Sequence, residues 1–165
     1  MTRHLQLVVC AFGALLASAC GSPSSPGGDQ KPAADTVTEA AAPSGPAGIA
    51  TAQTPLGTIL TDSHGRAVYL FVADKGVTST CTGTCAQEWP PVTSTGPATV
   101  GAGLNSALIS SSPRPDGTAQ VTYNGHPLYY YDDDKGPGTT AGQGETSFGA
   151  NWYVLSPAGA KIDND

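Results

Sequence analysis

The chain has 165 residues, with 7 Lys+Arg against 13 Asp+Glu and a formal net charge of −6. That balance excludes nucleic acid as a partner, because binding phosphates needs clustered positive charge. All six Tyr and both Trp fall after residue 51, so residues 52–165 are expected to form one domain with its own core.

The predicted elements begin with an export signal. Arg3 and His4 make a short basic start, and Leu5–Leu16 form a 12-residue apolar run broken only by Gln6. Such a run is too short to span a bilayer, which takes about 20 residues, and has the length of a signal-peptide core. Leu16-Ala17-Ser18-Ala19-Cys20 follows and resembles the lipobox of bacterial lipoproteins, in which small residues precede the lipid-bearing cysteine. Residues 1–19 are therefore expected to leave as a lipoprotein signal peptide, with Cys20 lipidated. Cys10 is not the modified residue, since Val9 is too large for the position before the cut. No later stretch is long and apolar enough to cross a membrane. The expected location is the outer face of the bacterial cytoplasmic membrane, held through lipid alone.

Residues 20–51 read as the lipidated cysteine and a disordered tether mostly of Ser, Pro, Gly, Ala and Thr, without aromatics. This composition buries too little apolar area to offset its chain entropy. As a coil it spans roughly 30 Å. A weak helix over Thr36–Ala42 would stop at Pro43.

The domain itself reads as mainly β. Thr58–Thr61 and Ala67–Val72 are strands joined through Asp62-Ser63-His64-Gly65, and Gln120–Tyr123 and His126–Tyr131 are joined by Asn124-Gly125, a strong two-residue hairpin signal. Within the strand, Tyr69 and Phe71 share one face and Val68, Leu70 and Val72 the other, so both faces are predicted to be covered. Asp74 and Asp134 open turns in which their side chains bond nearby amides. A short helical turn over Cys85–Trp89 ends before Pro90, and Gly-rich residues 135–149 are expected to be a long exposed loop.

The sequence also repeats itself. At an offset of 60, Gly65, Tyr69, Phe71, Asp74, Lys75 and Gly76 align with Gly125, Tyr129, Tyr131, Asp134, Lys135 and Gly136. Trp89-Pro90-Pro91-Val92 matches Trp152-Tyr153-Val154-Leu155 loosely, three residues out of step. Two copies point to a pseudo-twofold domain, since a solenoid needs at least three. Repeat 1 spans about 56–92 and repeat 2 about 107–160. The expectation is an antiparallel β domain built from two pseudo-equivalent repeats, preceded by a signal peptide and a disordered linker.

Tyr69, Phe71 and Asp74, and again Tyr129, Tyr131 and Asp134, fit the pattern Y-x-[FWY]-x-x-D. With Cys81 to Cys85 leading into Trp89-Pro90-Pro91, and Arg114 to Tyr129, the chain resembles the predicted lipoproteins, actinobacterial in type, called "secreted repeat of unknown function". The resemblance covers about residues 52–160. It implies location and architecture, and it brings no established activity.

The candidate chemistry is sparse. Cys81 and Cys85 remain once Cys10 and Cys20 are accounted for, and outside the cytoplasm a disulfide is their default state. Their alternative use is copper, since thiolates select Cu(I), with His64 or His126 as a third ligand, or thiol-redox exchange. Asp132-Asp133-Asp134 does not follow an EF-hand ladder, with Pro137 where the Gly should stand. The paired aromatics, with Trp89 and Trp152, read as core. Asp62-Ser63-His64 holds triad residue types, but neighbours in one turn cannot form the relay. The reading is a non-enzymatic envelope lipoprotein without a cofactor, in a binding or structural role. Its expected partners are the membrane, through its lipid, and an unknown envelope protein or ligand. The alternative is a copper-binding or thiol-redox lipoprotein using Cys81 and Cys85.

Overall fold

Gly57, with φ +100°, turns the chain back on itself and allows the first hairpin to close. Strands β1 (Gly48–Thr54) and β2 (Gly57–Asp62) pair antiparallel from Ile49↔Asp62 to Thr54↔Gly57. The computed structural model describes residues 45–163. The signal peptide, Cys20, the tether up to residue 44 and the Thr36–Ala42 helix all lie outside the described residues.

The start of the fold corrects the sequence reading. The composition of Gly48–Thr51 predicts tether, yet these residues form the first half of β1. Ile49 is the physical reason: it is buried in the core, and the edge of β2 supplies the backbone partners that its small and polar neighbours lack by themselves.

Strand β3 (Tyr69–Phe71) is followed by helix α1 (Thr84–Glu88), β4 (Thr99–Val100) and a 3-10 turn at Ser106–Leu108. Then come β5 (Ile109–Pro113), β6 (Ala119–Tyr123), β7 (His126–Pro127), β8 (Thr146–Ser147) and β9 (Ala150–Val154). Three small sheets result, in the orders β2-β1-β4, β3-β9-β8 and β5-β6-β7. Pairing is antiparallel except for β4, which runs parallel to β1. The mainly β, antiparallel architecture matches the expectation. The β6–β7 hairpin turns at Asn124 (φ +48°) and Gly125 (φ +79°), the two left-handed residues that this tight turn requires.

The two repeats exchange strands. β3, from the first repeat, pairs with β9 of the second in the register Tyr69↔Val154 to Phe71↔Trp152. Reciprocally, the amide of Val92 donates to Leu128 at 2.9 Å and that of Tyr130 donates to Pro90 at 2.8 Å. Each motif strand therefore lies against the tryptophan segment of the other repeat. Flanking bonds repeat the pattern: Leu60 donates to Leu155 at 2.8 Å, as Val121 does to Val92 at 2.7 Å.

Strand alternation divides the core into two layers. Val68, Leu70, Leu128 and Tyr130 pack with Ile49, Leu60, Val121, Tyr153 and Leu155. Tyr69, Phe71 and Tyr129 pack on the opposite side with Trp89, Trp152, Cys81 and Cys85. Both faces of β3 are thus covered, as expected, but Val72 is 46% exposed. The strand ends at Phe71, so Val72 falls beyond its covered length.

Most of the Gly-rich segment 135–149 is exposed, as expected, but its second half is tied to the core. Gly144 donates to Trp152 and Trp152 to Glu145, each at 2.9 Å, and the side chain of Gln143 bridges Val154 and Ile162. The backbone comes in close because Gly142 has no side chain. A Cβ there would sit 2.6 Å from Cη2 of Trp89.

Candidate functional site

The motif residues meet at the seam between the repeats, where they are crossed. The hydroxyl of Tyr69 donates to Oδ2 of Asp134 at 2.8 Å, and that of Tyr129 donates to Oδ2 of Asp74 at 2.6 Å. The other oxygen of each carboxylate orders its own loop. Asp74 Oδ1 accepts from the amide and hydroxyl of Thr80, and Asp134 Oδ1 accepts from the amide of Ala141. One carboxylate thus ties its own turn and the opposite repeat together. Burial holds both phenols in their neutral form, raising Tyr69 and Tyr129 well above the usual tyrosine range, and the adjacent carboxylates add to the shift.

The aromatic residues are crossed in the same way. Phe71 stacks on Trp152 of the other repeat at 4.0 Å, and Tyr131 stacks on Trp89 at 4.2 Å. The two tryptophans stack on each other at 4.0 Å with planes 3° apart, which makes a continuous column Phe71–Trp152–Trp89–Tyr131. Tyr69 meets Trp89 edge-on at 5.4 Å, and Tyr129 meets Trp152 edge-on at 5.1 Å. These geometries suit the ring quadrupole. Trp89 Nε1 donates to the hydroxyl of Ser147, whereas the buried Nε1 of Trp152 has no partner among the described residues.

Cys81 and Cys85 form a disulfide with Cα atoms 5.2 Å apart. Both residues are buried, in the same layer as the aromatic column. The disulfide loop is fastened by a residue that sequence reasoning missed. Arg114, only 7% exposed, donates through Nη2 to the carbonyl of Cys81 and through Nη1 to Ser79 and Gln120. Ser79 in turn lies 2.7 Å from the hydroxyl of Tyr129. Arg114 stands in Arg-Pro-Asp-Gly, a turn-like stretch that signals exposure. Only the tertiary fold buries its guanidinium.

The remaining candidates are not brought together. His64 is exposed at the first turn, with Nδ1 3.8 Å from Asp62 Oδ2, and lines a depression of about 310 Å³ with Arg66 and Tyr130. His126 borders a different depression, of about 180 Å³, beside Leu70 and Val72. Among the described residues no group of three or more His, Cys, Asp or Glu stands where it could hold a metal ion. The four residues considered for copper are therefore dispersed, and two of them are spent in the disulfide. Within Asp132-Asp133-Asp134 only Asp134 is buried. Asp133 pairs with Lys135 at 3.0 Å, a contact that raises the lysine's pKa.

The family model described as a secreted repeat of unknown function matches this chain twice, over residues 50–93 and 110–156. These two matches correspond to the two crossed halves. No curated protein and no solved structure matches the chain.

Proposed function

The chain belongs to the family of secreted repeats of unknown function, and from that membership we propose that it serves outside the cytoplasmic membrane as a lipid-anchored, non-enzymatic protein. Cys20 carries the lipid, and the segment up to the first strand holds the domain off the bilayer. The folded part has a binding or structural role toward an envelope protein or ligand. The observation that supports this reading is the commitment of the duplicated motif to the seam. Tyr69, Asp74, Tyr129 and Asp134 spend their polar atoms on one another and on their own loops. This assigns them a packing role at the seam between the repeats.

Copper or thiol exchange at Cys81 and Cys85 gains no support from this geometry, because both residues are buried and oxidised. A reactive thiol needs exposure and thiolate character.

Two measurements test the proposal. Metabolic labelling with an alkyne fatty acid should mark the wild-type protein in the membrane fraction, and Cys20→Ala should lose the label and release the domain from the membrane. A native protein that keeps Met1 and stays in the cytosol overturns the anchoring. Stoichiometric Cu(I) binding by the folded protein, lost on Cys81→Ser, overturns the role assigned here.

A further inference from the structure

Beyond this reading, we propose that the aromatic column carries one-electron oxidation from the surface to the buried tyrosine–aspartate pairs, so that the seam is also a redox relay. Three observations carry the inference. First, Tyr131 is the one tyrosine of the six that is not buried, and it stacks on Trp89, which stacks on Trp152 with planes 3° apart. Parallel indoles in van der Waals contact share π overlap, and tryptophan and tyrosine are the two side chains most easily oxidised by one electron without sulfur chemistry. The column therefore leads inward from an accessible end.

Second, the inner end has acceptors for protons. Oxidising a phenol is unfavourable unless its proton leaves with the electron, and a base must stand within hydrogen-bond reach. Tyr129 has Asp74 Oδ2 at 2.6 Å, and Tyr69 has Asp134 Oδ2 at 2.8 Å. Third, the tryptophans lack any such acceptor. Trp152 Nε1 has no partner among the described residues, and Trp89 Nε1 meets only the neutral hydroxyl of Ser147. A tryptophan cation radical formed there has no carboxylate beside its Nε1 to take the proton, so it passes the hole on.

A high-potential metal complex docked against Tyr131 is reduced by one electron drawn from Trp89 through the stacked Tyr131 ring, and Trp152 refills Trp89. One electron then moves from Tyr129 to the Trp152 cation radical while the phenolic proton passes to Oδ2 of Asp74. The products are a neutral phenoxyl, a neutral carboxylic acid and two restored indoles. Tyr69 and Asp134 perform the mirror step onto Trp89, which they meet edge-on.

Flash-quench oxidation of the folded protein tests this, using a ruthenium polypyridyl photosensitiser in solution and transient absorption with electron paramagnetic resonance as readouts. In the wild type the tryptophan cation radical should decay into a buried tyrosyl radical. Tyr69→Phe with Tyr129→Phe keeps every ring and should leave the radical on tryptophan. Asp74→Asn with Asp134→Asn should slow the tyrosyl step by about a hundredfold, the contribution of a positioned proton acceptor. Trp89→Phe should abolish transfer inward. A wild-type radical confined to Tyr131 overturns the proposal. So does a tyrosyl radical formed equally fast in folded carriers of the Asp→Asn pair.

Discussion

The amide of Tyr69 donates to the carbonyl of Tyr129 at 2.9 Å, and the amide of Tyr129 returns the bond at 3.0 Å. These two equivalent residues thus mark the pseudo-twofold axis. Around it the phenols, carboxylates and indoles of the two repeats change places. Neither repeat holds its own motif together, so the two halves are expected to fold as one cooperative unit.

Crossing has a measurable signature in coupling energies. Tyr69→Phe leaves Asp134 Oδ2 buried without its donor and should cost about 1–3 kcal/mol. In a double-mutant cycle, Tyr69→Phe should couple to Asp134→Asn by about 0.5–3 kcal/mol. The cycle with Asp74→Asn, from the same copy of the motif, should come out near additive. Chemical denaturation of the four combinations reads both values. Strong coupling within one copy would contradict the crossed arrangement.

Gly142 should not tolerate even a methyl group. The Cβ of Gly142→Ala would lie 2.6 Å from Cη2 of Trp89 and 3.1 Å from Cδ1 of Tyr131. Trp89 is fixed between Trp152 and Tyr131 and cannot yield, so overpacking of about 1–3 kcal/mol is expected. A thermal midpoint equal to that of the wild type would mean that the loop over residues 135–149 lifts away from the column.

Replacing both cysteines, Cys81→Ser with Cys85→Ser, should lower stability by about 2 kcal/mol, the chain-entropy value for so short a loop. Arg114 still ties the carbonyl of Cys81 to the second repeat, so the fold should persist. Near-ultraviolet circular dichroism of the variant should retain the signal of the stacked tryptophans. Its disappearance would assign the disulfide a larger role than loop closure.

Alkali should unfold the protein through its phenols. Burial raises Tyr69, Tyr129 and Tyr130 above the ordinary tyrosine range, with Asp134, Asp74 and Asp62 adding to the effect in turn. A folded-state value above the unfolded one gives stability that is complete below about pH 10 and is lost as pH rises toward the folded value. The loss should approach about 1.4 kcal/mol per pH unit for each of these tyrosines. Urea midpoints recorded across the alkaline range check the slope, and a flat profile up to about pH 12 would contradict the neutral buried phenols.

The duplication, the β class, the Asn124-Gly125 hairpin and the pairing of Cys81 with Cys85 were legible from local chemistry. Alternation, turn residues and cysteine spacing act over a few positions and need no knowledge of what packs beyond them. The two apolar faces of Tyr69–Phe71 likewise announced a strand covered on both sides. Which repeat supplies each partner was not legible. Tyr69 and Tyr129 are identical in type, as are Asp74 and Asp134, so each tyrosine offers the same signal whether it bonds its own aspartate or the other's. Arg114, Gly142 and the first half of β1 were hidden for a related reason. A guanidinium in a turn and a glycine in a loop acquire their roles from surfaces brought in from the other half of the chain, and a strand of small residues acquires its role from β2 and from the core around Ile49.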